Sequence, residues 1–247
     1  MARMLVMRET DPRPPALEVA VSHALVERVS DGALGPVLRI YRPAPTLAFG
    51  RLDAIAPGFA AAAAAARAHG FEPVVRAPGG HAVAYHDGCL VVDELIPSED
   101  PIAGLQDRFA RSGEWLAEAL RTVGVDARVG RVDGEFCPGD FTVSARGRVK
   151  LVGTAQRVVR HASLLAASVA VTGGEVLRAV LTDVYAALGL DWDPATAGAI
   201  EDDLPGVTLD AVEQAILATA PRDITVGSLD DATLALAREL EPRHAVV

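Results

Sequence analysis

Between residues 71 and 95, three short runs rich in valine, leucine and tyrosine follow one another. They are separated by Ala77, Pro78, Gly79, Gly80 and His81, and then by a break at Asp87 and Gly88. Runs bounded in this way by glycine and proline read as strands, here 71–76, 82–85 and 89–95. Helical patterns surround them. Residues 16–30 place Leu17, Val21, Ala24, Leu25 and Val29 at helical spacing, after Pro14 and Pro15 and before Gly32. Residues 106–122 do the same with Phe109, Trp115, Leu116, Ala119 and Leu120, and Gly124 ends them. Residues 60–68 are nearly all alanine, the best helix former, with Gly70 placed to cap the end. Further strands are expected at 37–41, 125–129 and 141–145, with 149–152 at a sheet edge and 162–171 in the core. Beyond Val171 the pattern turns helical, at 175–188, 209–219 and 230–240. The expected fold is α+β, a mixed β-sheet flanked by helices with a small helical tail over 175–247. With no internal repeat or low-complexity linker, residues 1–247 are expected to form a single domain.

The chain has 247 residues, half of them hydrophobic, and a formal charge of -10. An acidic chain without a basic domain argues against a nucleic-acid partner. No apolar run approaches the roughly 18 residues of a membrane span, and residues 1–9 are too short and charged for a signal peptide. A cytoplasmic protein with no membrane association is expected. The two cysteines, Cys89 and Cys137, form no disulfide framework, and no Cys/His cluster has zinc spacing, so no metal is expected.

Lys150 is the only lysine in the chain. Where every other strongly basic side chain is arginine, a retained lysine points to a need for a compact ammonium on a flexible stem. The alternative is a surface lysine beside a turn. Replacement of Lys150 by arginine is expected to lower function by about two orders of magnitude or more and to spare folding. Cys137 lies in a loop containing Gly134, Pro138 and Gly139, which suits an accessible thiol, whereas Cys89 sits in an apolar strand and reads as a core residue. Gly79 and Gly80 allow a backbone to approach a ligand and form an anion-binding nest, although a Pro-Gly-Gly turn also serves as a plain hairpin. Trp115 and Trp192 read as core. Arg146, Arg148, Lys150, Arg157 and Arg160 are expected to crowd one hairpin, as a solvated face or a basic rim.

Three segments resemble the catalytic domain of the lipoate-protein ligase and octanoyl transferase family, which shares its fold with biotin-protein ligases. Pro45-Thr46-Leu47-x-x-Gly50 is similar to an early Pro-Thr-Leu-x-x-Gly of that family. Arg76-x-Pro78-Gly79-Gly80-His81-Ala82-Val83 resembles its Arg-x-Ser/Thr-Gly-Gly-Gly/Arg-Ala-Val, which lines the acyl pocket, and Tyr85-His86 resembles the Tyr-His that follows in one branch. Lys150-x-x-Gly153-Thr154-Ala155-Gln156 and His161-Ala162-Ser163-Leu164-Leu165 resemble Lys-x-x-Gly-Ser/Thr-Ala-Gln and His-Gly-Thr/Ser-Leu-Leu. His81, Pro78 and Ala162 depart from those patterns.

The resemblance implies an enzyme that transfers an octanoyl or lipoyl group to a lysine of a lipoyl domain. Cys137 would be the nucleophile, and Lys150 would supply the positive charge that a thiol of reference pKa about 8.5 needs. Substrate contacts are implied for Arg76, Gly79, Gly80, His81, Val83, Tyr85 and His86, and on the later segments for Val152, Gly153, Thr154, Ala155, His161 and Ser163. Backbone N–H groups near Gly153 and Thr154 would hold the oxyanion. An acyl-carrier protein or a lipoyl protein would be the donor, with no cofactor. The alternative is an ATP-dependent lipoate ligase that uses free lipoate, ATP and Mg2+, with Lys150 on the carboxylate and phosphate oxygens. A non-catalytic acyl-binding member is a further alternative. The small C-terminal part leaves no room for the accessory domain many ligases carry, which favours transfer.

Overall fold

The computed structural model describes residues 3–221 and 223–246. At its centre are three long antiparallel strands, β6 (Cys89–Pro97), β9 (Val149–Val158) and β10 (Ala162–Ala170). β10 pairs β6 from Ala162 opposite Pro97 to Ala170 opposite Cys89, and pairs β9 on its other side. The sheet extends past β6 through β2 (Val37–Tyr41), β1 (Met4–Glu9) and β11 (Ile224–Gly227), and past β9 through β8 (Val143–Ala145) and β7 (Ala127–Val129). β1 is parallel to both its neighbours and the remaining pairs are antiparallel, so the sheet is mixed as expected.

Two expectations change, and one strand was not anticipated. β9 is an interior strand rather than an edge, because its 149–152 end pairs β8 while the rest pairs β10. Residues 4–9 form a strand, with Met4 and Val6 fully buried. The helical tail carries β11, whose four residues are too few to show a period.

Helices cover both faces. α1 (Pro15–Ser30) and α7 (Asp231–Leu240) pack on one side, where Ala20, Val21, Ala24, Leu25 and Val29 meet Leu95, Leu164, Ala237 and Leu240. Full burial of a side chain such as Leu25 contributes about 1.5–3 kcal/mol. α4 (Leu105–Thr122) and α6 (Leu209–Ala218) cover the other face through Trp115, Leu116, Leu120, Val212 and Ile216. The Trp115 indole N–H donates to the Ile216 carbonyl at 3.2 Å. A second sheet orders β4 (Glu72–Val75), β3 (Thr46–Phe49) and β5 (Val83–Tyr85). It packs with α3 (Phe59–Ala68) and α5 (Gly174–Leu188) in a third apolar cluster, which also holds Tyr185 and Phe136. The one-turn helix α2 (Arg51–Ala54) follows β3 directly. Among the described residues no helix is long and apolar enough to cross a membrane.

The arginines expected on one hairpin separate. Arg146 and Arg148 flank the start of β9, and Arg157 and Arg160 lie at its far end, roughly 30 Å away at 3.3 Å per residue. Arg146 pairs with Asp203, and Lys150 is buried. No single basic rim results.

Candidate active site

A pocket opens between α1, the small sheet and the β6–β10–β9 surface, enclosing about 690 Å³ with the solvent at its mouth. Its floor is Val91, Leu164, Ala166, Ser168, Gly153 and Ala155, small or apolar residues from the three central strands. Cys137 and Arg76 stand at the wall over β9, and Val83 and Tyr85 of β5 face them from the small sheet.

The orientation of Lys150 depends on a backbone irregularity. Val143 pairs with Val152, but the next residue of β8, Ser144, pairs with Lys150, leaving Leu151 as an extra residue in β9. Such a bulge reverses the alternation of side chains beyond it. Leu151 and Val152 therefore both enter the cluster beneath α4, and Lys150 turns to the pocket side. There its ammonium pairs with Glu135 at 2.8 Å and donates to the carbonyls of Phe136 at 3.0 Å and Cys137 at 2.9 Å. It also lies over the Phe136 ring at 4.7 Å. A Cβ on Gly153 would come within 3.0 Å of Lys150 Cε, so the glycine leaves room for the stem.

Glu135 holds the cysteine loop from inside. Its carboxylate accepts from the Val132 N–H at 3.1 Å, the Gly139 N–H at 3.3 Å and the Thr142 hydroxyl at 2.7 Å. Between these anchors Cys137 adopts φ +42°, a left-handed conformation that costs a non-glycine residue about 1–2 kcal/mol. Sequence reasoning missed Glu135; its place two residues before Cys137 was the available signal, and a loop acid there has no distinguishing pattern.

The charge beside the thiol differs from the expectation. Lys150 is neutralised by Glu135 and reaches the Cys137 carbonyl, whereas Cys137 Sγ accepts from the His81 backbone N–H at 3.2 Å and lies 4.0 Å from Arg76 Nη2. Arg76 also donates to the carbonyls of Gly79 and His81, both at 2.8 Å, which fixes the turn. Gly80 has φ +92°, and a Cβ there would fall 2.8 Å from Sγ. The turn is tied to α2 as well: His81 Nδ1 bonds the buried Asp53 carboxylate at 2.7 Å, and Asp53 accepts from the Gly50 N–H at 3.1 Å.

The structure thus brings Cys137, Lys150, Arg76, Val83, Tyr85, Gly153, Thr154 and Ala155 to one pocket. Gly79 and Gly80 line a neighbouring cleft of about 780 Å³ on the other side of Cys137, with Phe109, Phe141 and Gln156. Val152 faces the opposite side of the sheet because of the bulge. Gly153 and Thr154 take part in the β9–β10 ladder opposite Ser168 and Ala167. His86 is buried beside Phe71 and accepts from the Gly88 N–H at 2.9 Å, lining neither cavity. His161 is exposed at the turn before β10, and Ser163 is buried opposite Val158. Because β10 runs antiparallel to β9, this end lies roughly 20 Å from the Val169–Val152 pair near Lys150, at 3.3 Å per residue. Cys89 is a core thiol that burial pushes up to about 12.

Known proteins resemble the chain in sequence and in fold. The octanoyl-[GcvH]:protein N-octanoyltransferase of Geobacillus kaustophilus is 28% identical over 170 residues, covering 69% of this chain and 60% of that protein. The chain therefore spans about three fifths of that relative's length. The protein of the same name from Oceanobacillus iheyensis is 26% identical over 223 residues, 85% of this chain and 79% of its own. A T. acidophilum protein described as a lipoate protein ligase, solved with bound lipoic acid, shares the fold with a TM-score of 0.75. It is 22% identical, over 98% of this chain and 95% of its own. Residues 14–219, which contain the pocket, the cysteine loop and the Lys150 bulge, match the lipoyl protein ligase A/B catalytic domain, and the chain belongs to that family.

Proposed function

We propose that this protein is an octanoyl transferase that moves an octanoyl group from a protein-bound donor to a lysine of a lipoyl domain, through a thioester on Cys137. The observation that carries this reading is the position of Cys137 Sγ, at the wall of an apolar pocket and hydrogen-bonded to the His81 N–H beside the Arg76 guanidinium. An anionic sulfur would find a donor and a positive charge already in place, so little reorganisation accompanies attack. The sulfur attacks the acyl carbonyl, the donor leaves with a proton, and a thioester remains with the chain in the pocket. The acceptor amine then attacks the thioester, losing a proton as the sulfur departs. The cleft beyond Gly79 and Gly80 gives donor and acceptor arms access to the same sulfur from the side opposite the acyl chain.

In this reading Lys150 and Glu135 brace the loop that presents the thiol, and Arg76 supplies the adjacent charge. No cofactor takes part. The relatives are named for an octanoyl group carried on GcvH, which supports a protein-bound donor here. Intact-protein mass spectrometry after incubation with octanoyl-GcvH tests it. An octanoyl adduct labile to hydroxylamine should form and vanish in Cys137→Ala. ATP-dependent pyrophosphate release that persists in Cys137→Ala would establish the ligase alternative, with ATP and Mg2+ as cofactors. Neither adduct nor pyrophosphate would leave acyl binding alone.

A further inference from the structure

The strand that delivers Arg76 is held from outside by one residue. β4 is at the edge of the small sheet, and on its inner side the Arg76 N–H donates to the Phe49 carbonyl of β3 at 3.0 Å. Alternation along the strand turns the N–H and the carbonyl of Val75 away from β3. His244 takes both. The Val75 N–H donates to the His244 carbonyl at 2.9 Å, and the Val75 carbonyl lies 2.6 Å from His244 Nδ1. A carbonyl only accepts, so this nitrogen carries a hydrogen. A bridge between Val74 and Ala245 continues the contact.

The ring that makes this clamp is itself fixed. His244 follows α7 and a single turn at Glu241–Arg243, and it is 4% exposed. Its Nε2 lies 3.0 Å from Nδ1 of His23, a buried residue of α1, and the two rings meet edge to face at 5.1 Å. His23 Nε2 in turn faces Glu27 at 3.2 Å. Contacts thus run from α1 through the two imidazoles to the residue before Arg76. Residues 241–246 lie beyond the 14–219 that match the family, so the resemblance gives His244 no role.

Arg76 depends on such support. One nitrogen, Nη2, reaches the carbonyls of Gly79 and His81 and the sulfur of Cys137, while Nε is buried with no hydrogen-bond partner among the described residues. With the stem unbonded, the backbone at Val75 and Arg76 sets where Nη2 falls. Its 4.0 Å from Sγ leaves little slack. A displacement of about 1 Å in a reacting site can cost about 100-fold.

We infer that His244 is a positioning residue: by gripping both main-chain groups of Val75 it holds Arg76 beside the Cys137 sulfur. The part this plays in acyl transfer rests on the transferase reading above.

The test reads the charge beside the sulfur. Cys137 is alkylated at low salt with iodoacetate and with iodoacetamide, which are alike in size and differ in charge, and the ratio of the two rates is taken. A neighbouring cation raises that ratio, whereas a loosened loop changes both rates together. Arg76→Gln sets the scale, with an expected fall of about fivefold, the effect of one charge at about 4 Å in water. His244→Gln, which can meet His23 but places no donor at the Val75 carbonyl, should lower the ratio about as far. His244→Asn, whose amide stands where Nδ1 does, should keep it within about twofold of wild type. If the glutamine variant does not fold, His244→Ala takes its place with the same expectation. An unchanged ratio in His244→Gln, an equal fall in the asparagine and glutamine variants, or an unchanged ratio in Arg76→Gln would overturn the inference. Wild-type protein assayed in parallel for the Cys137 octanoyl adduct separates the two readings. An adduct with no effect of His244 on the ratio removes this inference alone, and an effect of His244 with no adduct removes the transferase reading and leaves the clamp standing.

Discussion

The backbone N–H of His81 lies 3.2 Å from the sulfur of Cys137, joining the Pro-Gly-Gly turn to the cysteine loop through main chain on one side and side chain on the other. The contact requires Gly80 to stay bare and the turn to stay fixed. Arg76 fixes it from within and Asp53 from α2.

Gly80→Ala should separate activity from folding. The added methyl would meet Sγ at 2.8 Å and Arg76 at 2.9 Å, on a residue at φ +92°. Strain at such a position costs about 1–2 kcal/mol, which a domain of this size survives. Single-turnover transfer is expected to fall about 100-fold, as for loss of one oxyanion-type donor, with the thermal midpoint lowered by only a few degrees. Parallel loss of both would make the turn architectural.

Lys150 carries a different expectation from the one its isolation in the sequence suggests, because its removal leaves Glu135 buried without its cation. Breaking a buried pair from one side costs about 3–5 kcal/mol. Lys150→Met should therefore destabilise by that amount in chemical denaturation, and Lys150→Arg should also destabilise, by about 1–3 kcal/mol from overpacking. The double variant Lys150→Met with Glu135→Gln should recover at least half of the Met loss without recovering transfer. A Lys150→Met protein as stable as wild type would show that the pair carries no such weight.

Thiol labelling should distinguish the two cysteines. Cys89 is 1% exposed with its thiol pushed up to about 12, whereas Cys137 borders two cavities. Native protein treated with iodoacetamide at pH 7.5 should gain one label, located by peptide mapping at Cys137. Cys137→Ala should gain none until unfolded. Rapid labelling of Cys89 would contradict the packing of β6.

Asp93 predicts a pH dependence of stability. Its carboxyl is raised by burial from 3.8 to about 6, so between those values the folded state binds more proton than the unfolded state. The associated stabilisation is complete below about pH 4 and is lost as pH rises through 6, at most ~3 kcal/mol. Denaturation of wild type and Asp93→Asn at pH 4 and pH 7 should show wild type losing that much relative to the variant. Parallel profiles would mean that Asp93 stays ionised throughout.

Much of the architecture was legible because it is local. The helical period in 16–30 and 106–122, and the glycine-bounded runs at 71–95, became α1, α4, β4, β5 and β6 with small changes of boundary. What escaped depends on contacts between distant residues. β1 and β11 pair across more than two hundred residues, and Met4 opposite Ile224 leaves no local trace. Arg39 looks like any polar residue in a strand until Glu9, Glu18 and Asp93 are folded around it. At the site, motif spacing singled out Cys137, Lys150 and Arg76. It could not show that Arg76 rather than Lys150 lies beside the sulfur, because Glu135 claims the ammonium.

The bulge at Leu151 makes residue count, as well as residue identity, a determinant of the site. A gene lacking the single codon for Leu151 would restore strict alternation with the ammonium still on the pocket side but one residue nearer Gly153, whereas a ladder that kept Leu151 and paired it with Ser144 would turn the ammonium into the hydrocarbon beneath Trp115. Alignments that slide a gap across this segment would hide that difference, so homologues should be compared here by their distance in residues from the lysine to the glycine.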